Sequence, residues 1–211
     1  MKVAVFGASG WIGQHIVEEA KARGHHVVAI VRDPAKVNRQ DIEVRQCDVQ
    51  QETDLSPVLQ GVEAVIASIG GRNTGNHDVV AQTAQLLLSQ LPKQGIQRLL
   101  WVGGAGSLEV SPGISLLSLP EFPEEYKAEA VAQGQALDVF RDSQSTLNWT
   151  FVSPAAEIFP EGKLAAYRVG GDQLLVDEEQ NSRISVSDYA VAIVDMLETE
   201  SFTQQRVGVA Y

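Results

Sequence analysis

Residues 2–13, KVAVFGASGWIG, decide the fold that this sequence predicts. The apolar stretch VAVF is typical of a fully buried parallel strand, and three glycines with the spacing G-x-x-G-x-x-G follow it directly. An amphipathic helix should run from the glycines to about Arg23, where Gly24 can end it in the left-handed conformation. A strand, a glycine turn and a helix in this order are the context in which a glycine fingerprint carries meaning.

The three glycines, Gly7, Gly10 and Gly13, suit a turn that holds a pyrophosphate. A helix N-terminus presents unpaired backbone N–H groups and the positive end of the helix dipole to an anion. Glycine lets the backbone turn tightly and approach the pyrophosphate without an intervening Cβ. The stretch therefore predicts dinucleotide binding, and the alternative is a structural strand–helix turn that binds no ligand.

The composition argues against several classes of function. A chain of 211 residues is long enough for one α/β domain, and a formal net charge of −11 disfavours nucleic acid and anionic membrane surfaces as partners. Cys47 is the only cysteine, so no internal disulfide can form, and we expect no metal site. No apolar run reaches membrane-spanning length and no signal peptide precedes the first strand, so we expect a cytoplasmic protein.

The second predicted strand, residues 27–31, is followed by Arg32 and Asp33. In a dinucleotide fold this strand end lies beside the adenosine ribose, where an acidic residue favours NAD and an arginine can pair with the 2′-phosphate of NADP. Because Arg32 comes first, the sequence favours NADP, with NAD left open. The alternative is that Asp33 opens a turn with Pro34 and that Arg32 is only solvated.

Strands and helices alternate through the rest of the chain. We expect strands at 42–46, 62–69, 98–102, 149–152 and 206–211, helices at 54–60, 78–91, 123–142 and from Ser187 onward, and a hairpin at 165–176 that turns at Gly170-Gly171. In the last helix, Ala190, Ile193, Val194 and Leu197 should face the core. The alternation predicts a single α/β domain over residues 1–211, with a doubly wound, mostly parallel sheet and a small C-terminal cap.

The predicted strand ends carry small and polar residues. Asp48 should project near adenine, although a helix cap or a loop carboxylate is an equal alternative. Gly70 would let a ribose or nicotinamide pass close to the backbone. Arg72, Asn73 and His77 follow in a polar loop, and a lone histidine there is more often a helix cap or solvated than a substrate contact.

Two segments should lie over the carboxyl edge of the sheet as substrate-side cap elements, residues 105–122 and 154–185. The stretch 108–122 is apolar and carries two prolines, so we interpret it as a wall or lid of the substrate site, against the alternative of a packed surface loop. In the helix at 123–142, Tyr126, Ala130, Leu137 and Phe140 should form the inward stripe. Gly134 in mid-helix suggests close packing, which leaves a homodimer contact open.

Seven motifs along the chain carry a family resemblance. They are GASGWIG at 7–13, VRDPAK at 31–36, CDV at 47–49, ASIGG at 67–71, VGGAGSL at 102–108, WTFVSPAAEIF at 149–159 and SRISVSDYAVAIVD at 182–195. On these motifs the sequence resembles atypical short-chain dehydrogenase/reductase-like proteins, the branch with NmrA-like proteins and biliverdin reductase B. Within that branch it is most similar to bacterial NADH-flavin reductases, and the resemblance covers almost the whole chain.

The resemblance implies a Rossmann fold that binds NAD(P)H. The implied cofactor contacts are Gly7, Ser9, Gly10, Trp11, Ile12 and Gly13 in the glycine turn, Arg32 at the adenosine phosphate, Asp48 at adenine with Val49 beside it, Ala67, Ser68, Ile69 and Gly70 along the ribose, Gly103, and Ser153 and Pro154 by the nicotinamide. These assignments follow from the family and not from spacing.

The sequence departs from the wider superfamily at its catalytic pair. Those dehydrogenases use Tyr-x-x-x-Lys, in which the lysine lowers the tyrosine pKa for proton transfer. Here Ala130 follows Tyr126 at that spacing, and Lys127 points about 100° away around the helix. Gly103 replaces the serine usual at the end of the fifth strand, and Ser107 is displaced. Ser107, Tyr126 and Lys127 are therefore weak catalytic candidates, and the catalytic residues stay unassigned.

The missing pair is compatible with flavin reduction. The flavin N5 accepts a hydride directly and the ring holds the resulting charge, so the protein has only to position the rings and exclude water. The sequence therefore predicts an NAD(P)H-dependent reductase of a flavin or a flavin- or quinone-like small-molecule acceptor. The alternatives are an NmrA-like regulator that senses NAD(P) without turnover and, as the weakest, an isomerase, epimerase or lyase on the same fold.

Overall fold

An eight-stranded, mostly parallel sheet forms the centre of the fold. The computed structural model describes residues 1–72 and 74–211, so Asn73 of the predicted polar loop lies outside the described residues. The strands of the chain are β1 Lys2–Phe6, β2 His26–Val31, β3 Glu43–Gln46, β4 Ala64–Ala67, β5 Arg98–Val102, β6 Glu109–Ser111, β7 Ile114–Ser115, β8 Asn148–Ser153, β9 Glu157–Phe159, β10 Arg168–Gly170, β11 Arg183–Ser185 and β12 Gln205–Ala210. The α-helices are α1 Trp11–Ala22, α2 Asp78–Gln90, α3 Glu124–Asp142 and α4 Val186–Thr199.

The strand order in the large sheet is β10-β12-β8-β5-β4-β1-β2-β3. Every neighbouring pair is parallel except β10 with β12. The chain winds from β1 outward through β2 and β3, and then outward in the other direction from β4, so the winding reverses beside β1. The doubly wound sheet is therefore confirmed, and ligands in such sheets bind outside the carboxyl ends of the strands at this reversal.

The helices cover both faces of the sheet. Alternate side chains of β1 point to opposite faces, so that Val3 and Val5 join the core beneath α1 and α4, whereas Phe6 joins the core beneath α2 and α3. The predicted core face of α4 is confirmed, because Ala190, Ile193, Val194 and Leu197 are all buried. No helix among residues 1–72 and 74–211 is both long and apolar enough to cross a membrane.

The first βα unit matches its prediction closely. Strand β1 and helix α1 have the expected bounds, and Gly24 ends the helix with a φ of +83°. Strand β5 has its predicted bounds as well. The other sheet strands that were predicted differ by one or two residues at an end, and the largest difference is the shorter β4.

The helix predicted at 54–60 is wrong, because this segment forms turns. The Leu55 carbonyl accepts two backbone hydrogen bonds, one from the Leu59 N–H at 3.0 Å and one from the Val58 N–H at 3.1 Å. The first has the i to i−4 spacing of an α-helix, and the second has the i to i−3 spacing of a turn. These bonds close a single helical turn, and no further i to i−4 bond follows within the segment. Gly61 then reverses the chain with a φ of +73°.

The hairpin predicted at 165–176 is also wrong. Its first half, β10, pairs antiparallel with the closing strand β12, with Val169 opposite Val209. Its second half pairs with the segment at Glu109, whose N–H and carbonyl bond the Asp172 carbonyl and the Leu174 N–H at 2.8 Å each. Both halves thus find backbone partners elsewhere, and the two halves do not form a ladder with each other.

The cap differs in detail from the expected loop and helix stripe. Residues 108–122 contain the small antiparallel pair β6–β7 and a 3₁₀ turn at Leu116–Ser118 instead of a loop alone. In α3, Ala130, Leu137 and Phe140 are buried as predicted, but Tyr126 is 41% exposed because the first turns of the helix lie at the mouth of a cleft. A Cβ at Gly134 would meet nothing within 4 Å, so close packing is not the reason for this glycine.

Candidate functional site

The carboxyl ends of the central strands open into a cleft of about 930 Å³. Its walls are the glycine turn after β1, the ends of β2 and β5, the loop after β4, the first half of α3 and the segment after β8. This volume lies at the upper end of the range for small-molecule sites, which suits an extended ligand. The cleft spans the point beside β1 at which the winding of the sheet reverses.

The three glycines of the first turn are required for different structural reasons. Gly7 has a φ of +74°, and a Cβ there would lie 2.0 Å from the Ser68 carbonyl oxygen. A Cβ at Gly13 would lie 2.2 Å from the Gly7 carbonyl oxygen, so this glycine lets α1 pack against the turn and does not itself line the cleft. Gly10 lines the cleft, and its Cβ would meet only the Gly7 oxygen, at 3.2 Å.

The first turn of α1 is free to bind an anion. Gly10 is the N-cap, it offers no side-chain cap, and no acidic residue lies in the first turn. The helix therefore keeps unpaired N–H groups and an uncompensated positive dipole at the cleft. Ser9, Trp11 and Ile12 line the cleft beside it, and Trp11 is 47% exposed. This cradle fits the pyrophosphate of a dinucleotide.

Arg32 and Asp33 separate at the end of β2. Arg32 lines the cleft, and its guanidinium has no hydrogen-bond acceptor or carboxylate partner among the described residues. The Asp33 carboxylate instead accepts the Ala35 N–H at 3.0 Å and caps the 3₁₀ turn Pro34–Lys36. The turn considered as an alternative for Asp33 is therefore what forms, and the cation alone faces the cleft.

The segment after β3 reaches the cleft through other residues than Asp48. The Asp48 carboxylate accepts the Gln50 N–H at 3.1 Å and does not line the cleft, so it is the loop carboxylate of the alternative interpretation. Val49 and Gln50 do line it. Cys47 also lines the cleft, a position that sequence reasoning missed, and burial raises the pKa of its thiol to about 11, so it stays protonated there.

Ser68, Ile69 and Gly70 line the cleft after β4, whereas Ala67 does not. Ala67 is fully buried within the strand, one residue below the cleft surface. At the end of β8, Pro154 lines the cleft, whereas the Ser153 side chain is fully buried and its hydroxyl has no hydrogen-bond partner among the described residues.

Gly103 lines the cleft at the end of β5 for a steric reason. A Cβ at this position would lie 2.0 Å from Cε1 of the buried Phe151 ring. The core aromatic therefore occupies the space that the superfamily serine would need, which explains the glycine.

Of the three catalytic candidates, only Tyr126 reaches the cleft. The Ser107 carbonyl accepts a hydrogen bond from the buried Arg206 at 3.3 Å, which holds Ser107 away from the cleft. Lys127 forms an ion pair with Glu124 at 2.6 Å. Ser107 and Lys127 thus do not join Tyr126 into a catalytic group.

Sequence reasoning missed Glu129, which helix α3 brings to the cleft. Its carboxylate accepts the backbone N–H groups of Gly71 and Arg72 at 2.9 and 3.1 Å, and His77 Nδ1 lies 3.1 Å from the same oxygen. These bonds fasten the loop after β4 to α3.

Gln133, one turn further along α3, was missed as well. Its amide nitrogen donates to the Ile69 carbonyl at 2.9 Å, and its amide oxygen accepts from the indole of Trp101 at 3.1 Å. The available signal was a polar pair at i and i+4, Glu129 and Gln133, inside the otherwise apolar inward stripe of the helix.

Comparisons with known proteins agree with this geometry. The profile of a family described as NAD(P)H-binding matches residues 7–197. The uncharacterized protein YwnB of Bacillus subtilis (strain 168) is 39% identical over 214 aligned residues, which cover 99% of this chain and 98% of YwnB.

Two crystal structures resemble the chain along its whole length. A candidate exported protein from Burkholderia pseudomallei has a TM-score of 0.90 at 38% identity, with 100% of both chains covered. A candidate NADH-flavin reductase from Streptococcus pneumoniae TIGR4 has a TM-score of 0.88 at 37% identity, with 100% of this chain and 99% of that chain covered. The name of the Burkholderia protein says that it is exported, but this describes that protein alone. The cytoplasmic location of this chain stays a prediction.

Proposed function

The chain belongs to the NAD(P)H-binding family, and from this premise we propose that it is an oxidoreductase that reduces a flavin, or a flavin- or quinone-like small molecule, by direct hydride transfer. The observation that carries the proposal is the make-up of the cleft. One part of the cleft is the glycine turn and the N-terminus of α1, which fit a dinucleotide, and another part is the start of α3, which carries Tyr126. No lysine lines the cleft among the described residues, so Tyr126 lacks the partner that a Tyr-x-x-x-Lys pair would give it. An acceptor that needs no protein acid suits this cleft best.

The residues of the chain would act by binding and positioning. Bound NAD(P)H would supply the hydride, and its transfer with one proton from solvent would convert oxidised flavin to reduced flavin and leave NAD(P)⁺. The free N–H groups of α1 would hold the diphosphate. Gly70 would let a flat ring lie close to the backbone, and Leu116 and Phe122 would exclude water from the ring faces.

Arg32 supports NADPH as the preferred nucleotide. Its guanidinium has no partner among the described residues and can pair with a 2′-phosphate, while Asp33 is engaged in a turn and does not compete for the ribose. The name of the Streptococcus pneumoniae relative supports a flavin acceptor, although for that protein it gives NADH as the nucleotide.

The cleft holds few candidate catalytic groups, and this also favours a second function. That function is an NAD(P)-sensing regulator that binds nucleotide without turnover. Tyr126 is the one cleft-lining member of the catalytic candidates, and no lysine lines the cleft beside it among the described residues. A regulator would bind nucleotide tightly and change its binding to a protein partner when the nucleotide changes.

The test is oxidation of NADPH and NADH with FMN, FAD, riboflavin and a small quinone, followed by the loss of nicotinamide absorbance, with nucleotide binding titrated on the same sample. Turnover that survives Tyr126→Phe and is lost in Gly10→Val would support the reductase. Equal loss in both variants would point to a tyrosine acid. Tight nucleotide binding without turnover on any acceptor would refute the reductase and favour the regulator.

A further inference from the structure

Arginines occupy two separate places in the cleft. The charged residues among the described lining residues are Arg32, Arg72, Glu129 and Glu157. Arg32 follows β2, on one side of β1, and Arg72 lies in the loop after β4, on the other side. Since the adenosine end of a dinucleotide lies beside β2 in this fold, Arg72 is on the side of the cleft that remains for the acceptor.

These two arginines also differ from the rest in their partners. Eight of the ten arginines place the guanidinium against a carboxylate or a backbone carbonyl of the described chain. Arg32 and Arg72 are the two whose guanidinium has no such acceptor within the described residues, and both line the cleft. A guanidinium left unpaired at a cleft wall is available to an anionic ligand.

The position of Arg72 is fixed from two directions. Glu129 accepts the Arg72 backbone N–H at 3.1 Å, and the guanidinium carbon lies 4.5 Å from the centroid of the Tyr126 ring. The Glu129 carboxylate is occupied by backbone N–H groups, His77 and Gln133, and it accepts nothing from the guanidinium. Stacking therefore orients the fork while its N–H groups stay free.

We propose that Arg72 is an acceptor-side phosphate subsite, which selects a planar aromatic acceptor that carries a phosphate monoester. The inference rests on the proposed function and names its substrate class, a phosphorylated flavin in preference to riboflavin. A guanidinium matches two phosphate oxygens with parallel N–H groups, and a side chain already held by stacking loses less entropy when it binds. The neutral ribityl end of riboflavin offers no such partner.

The diphosphate of the nucleotide is a second source of the same chemistry, so the experiment must separate the two. FMN and riboflavin differ only in the phosphate. Flavin fluorescence is quenched when the ring stacks on an aromatic side chain, so quenching reports the binding of both. Their dissociation constants are measured on protein saturated with NADP⁺, and the NADPH dissociation constant is measured separately. The variants are Arg72→Gln, Arg32→Gln as the matched arginine of the same cleft, and Lys93→Gln as a distant exposed cation.

We expect the wild type to bind FMN at least about tenfold more tightly than riboflavin, which is the size of one charge-assisted contact. Arg72→Gln should remove that preference and leave the binding of riboflavin and NADPH unchanged. Arg32→Gln should weaken NADPH binding and keep the flavin preference, and Lys93→Gln should change neither.

Three results would overturn the subsite: equal binding of FMN and riboflavin by the wild type, no binding of either flavin, or an Arg72→Gln variant that weakens NADPH while the flavin preference persists. An equal loss in Lys93→Gln would assign the effect to overall charge and overturn it too. Because binding is measured without turnover, a wild type that prefers FMN but transfers no hydride would refute the reductase and leave the subsite standing.

Discussion

The substitution of alanine for glycine should have opposite effects at two helical positions, Gly13 in α1 and Gly134 in α3. A Cβ at Gly13 would lie 2.2 Å from the Gly7 carbonyl oxygen and 3.1 Å from the Ala8 Cα. Both are backbone atoms, and the turn that carries them is closed by the Gly10 N–H bond to the Gly7 carbonyl at 2.9 Å. No flexible side chain can move aside, so the helix itself must shift.

The magnitude follows from two opposing terms. Alanine gains about 1 kcal/mol over glycine in a helix interior, and overpacking of this severity costs about 3 kcal/mol. Gly13→Ala should therefore lower the free energy of unfolding by about 2 kcal/mol. At Gly134 nothing lies within 4 Å of the new Cβ, so Gly134→Ala should raise it by about 1 kcal/mol.

Urea denaturation with a shared m-value is the assay, and the two variants should differ by about 3 kcal/mol, or roughly 6–12 °C in Tm. The reasoning would be refuted if both variants were stabilised, or if they fell within about 1 kcal/mol of each other. If both variants were stabilised, the turn at Gly7 would move at no cost in free energy. If their stabilities were nearly equal, packing around the new Cβ would not be what distinguishes Gly13 from Gly134.

Three other substitutions test the site and the fold. Gly10→Ala should weaken NADPH binding at least about tenfold, because the new methyl sits at the free helix N-terminus. Its Cβ would lie 3.2 Å from the Gly7 carbonyl oxygen, so the loss of stability should be smaller than at Gly13. A titration with NADPH measures the dissociation constant, and unchanged binding would contradict the assignment of this turn to the nucleotide. Gly103→Ser, which restores the superfamily serine, should lower the free energy of unfolding by about 3 kcal/mol through the overlap with Phe151, and a stable variant would show that the ring can move. Burial works to raise the pKa of Asp188, but hydrogen bonds from a tyrosine hydroxyl, two backbone N–H groups and a serine outweigh it and hold the pKa below its usual range. The stability this carboxylate contributes is therefore present above the unfolded pKa of about 3.9 and is lost as the pH falls through the lowered folded pKa. Asp188→Asn should thus cost about 2 kcal/mol at neutral pH, because the charged acceptor of these hydrogen bonds is lost, and progressively less in acid. A cost that is the same at every pH in denaturation curves would contradict this.

The sequence alone determined the first βα unit and the doubly wound sheet. Residues 2–13 hold a strand, a glycine turn and a helix start in one contiguous run, so local periodicity and glycine spacing were enough to predict the nucleotide cradle. The alternation of strands and helices then left few allowed topologies, since connections between parallel strands must cross over.

Only the tertiary structure decided which side chains meet at the cleft. Glu129 fastens a loop 57 residues earlier, and Arg72 stacks on Tyr126 across a similar span, so no local pattern could reveal either contact. Strand ends were predicted to face the ligand, yet the Asp48 carboxylate turned to its own backbone and Ser153 was buried.

The same distinction explains the failed hairpin. A glycine pair between apolar runs predicts a local turn, but backbone N–H and C=O groups bond whichever strand edge the fold brings to them. The edge of β12 and the backbone at Glu109 were those partners. Local periodicity fixes which residues form strands and helices, whereas the choice among distant partners depends on the assembled sheet.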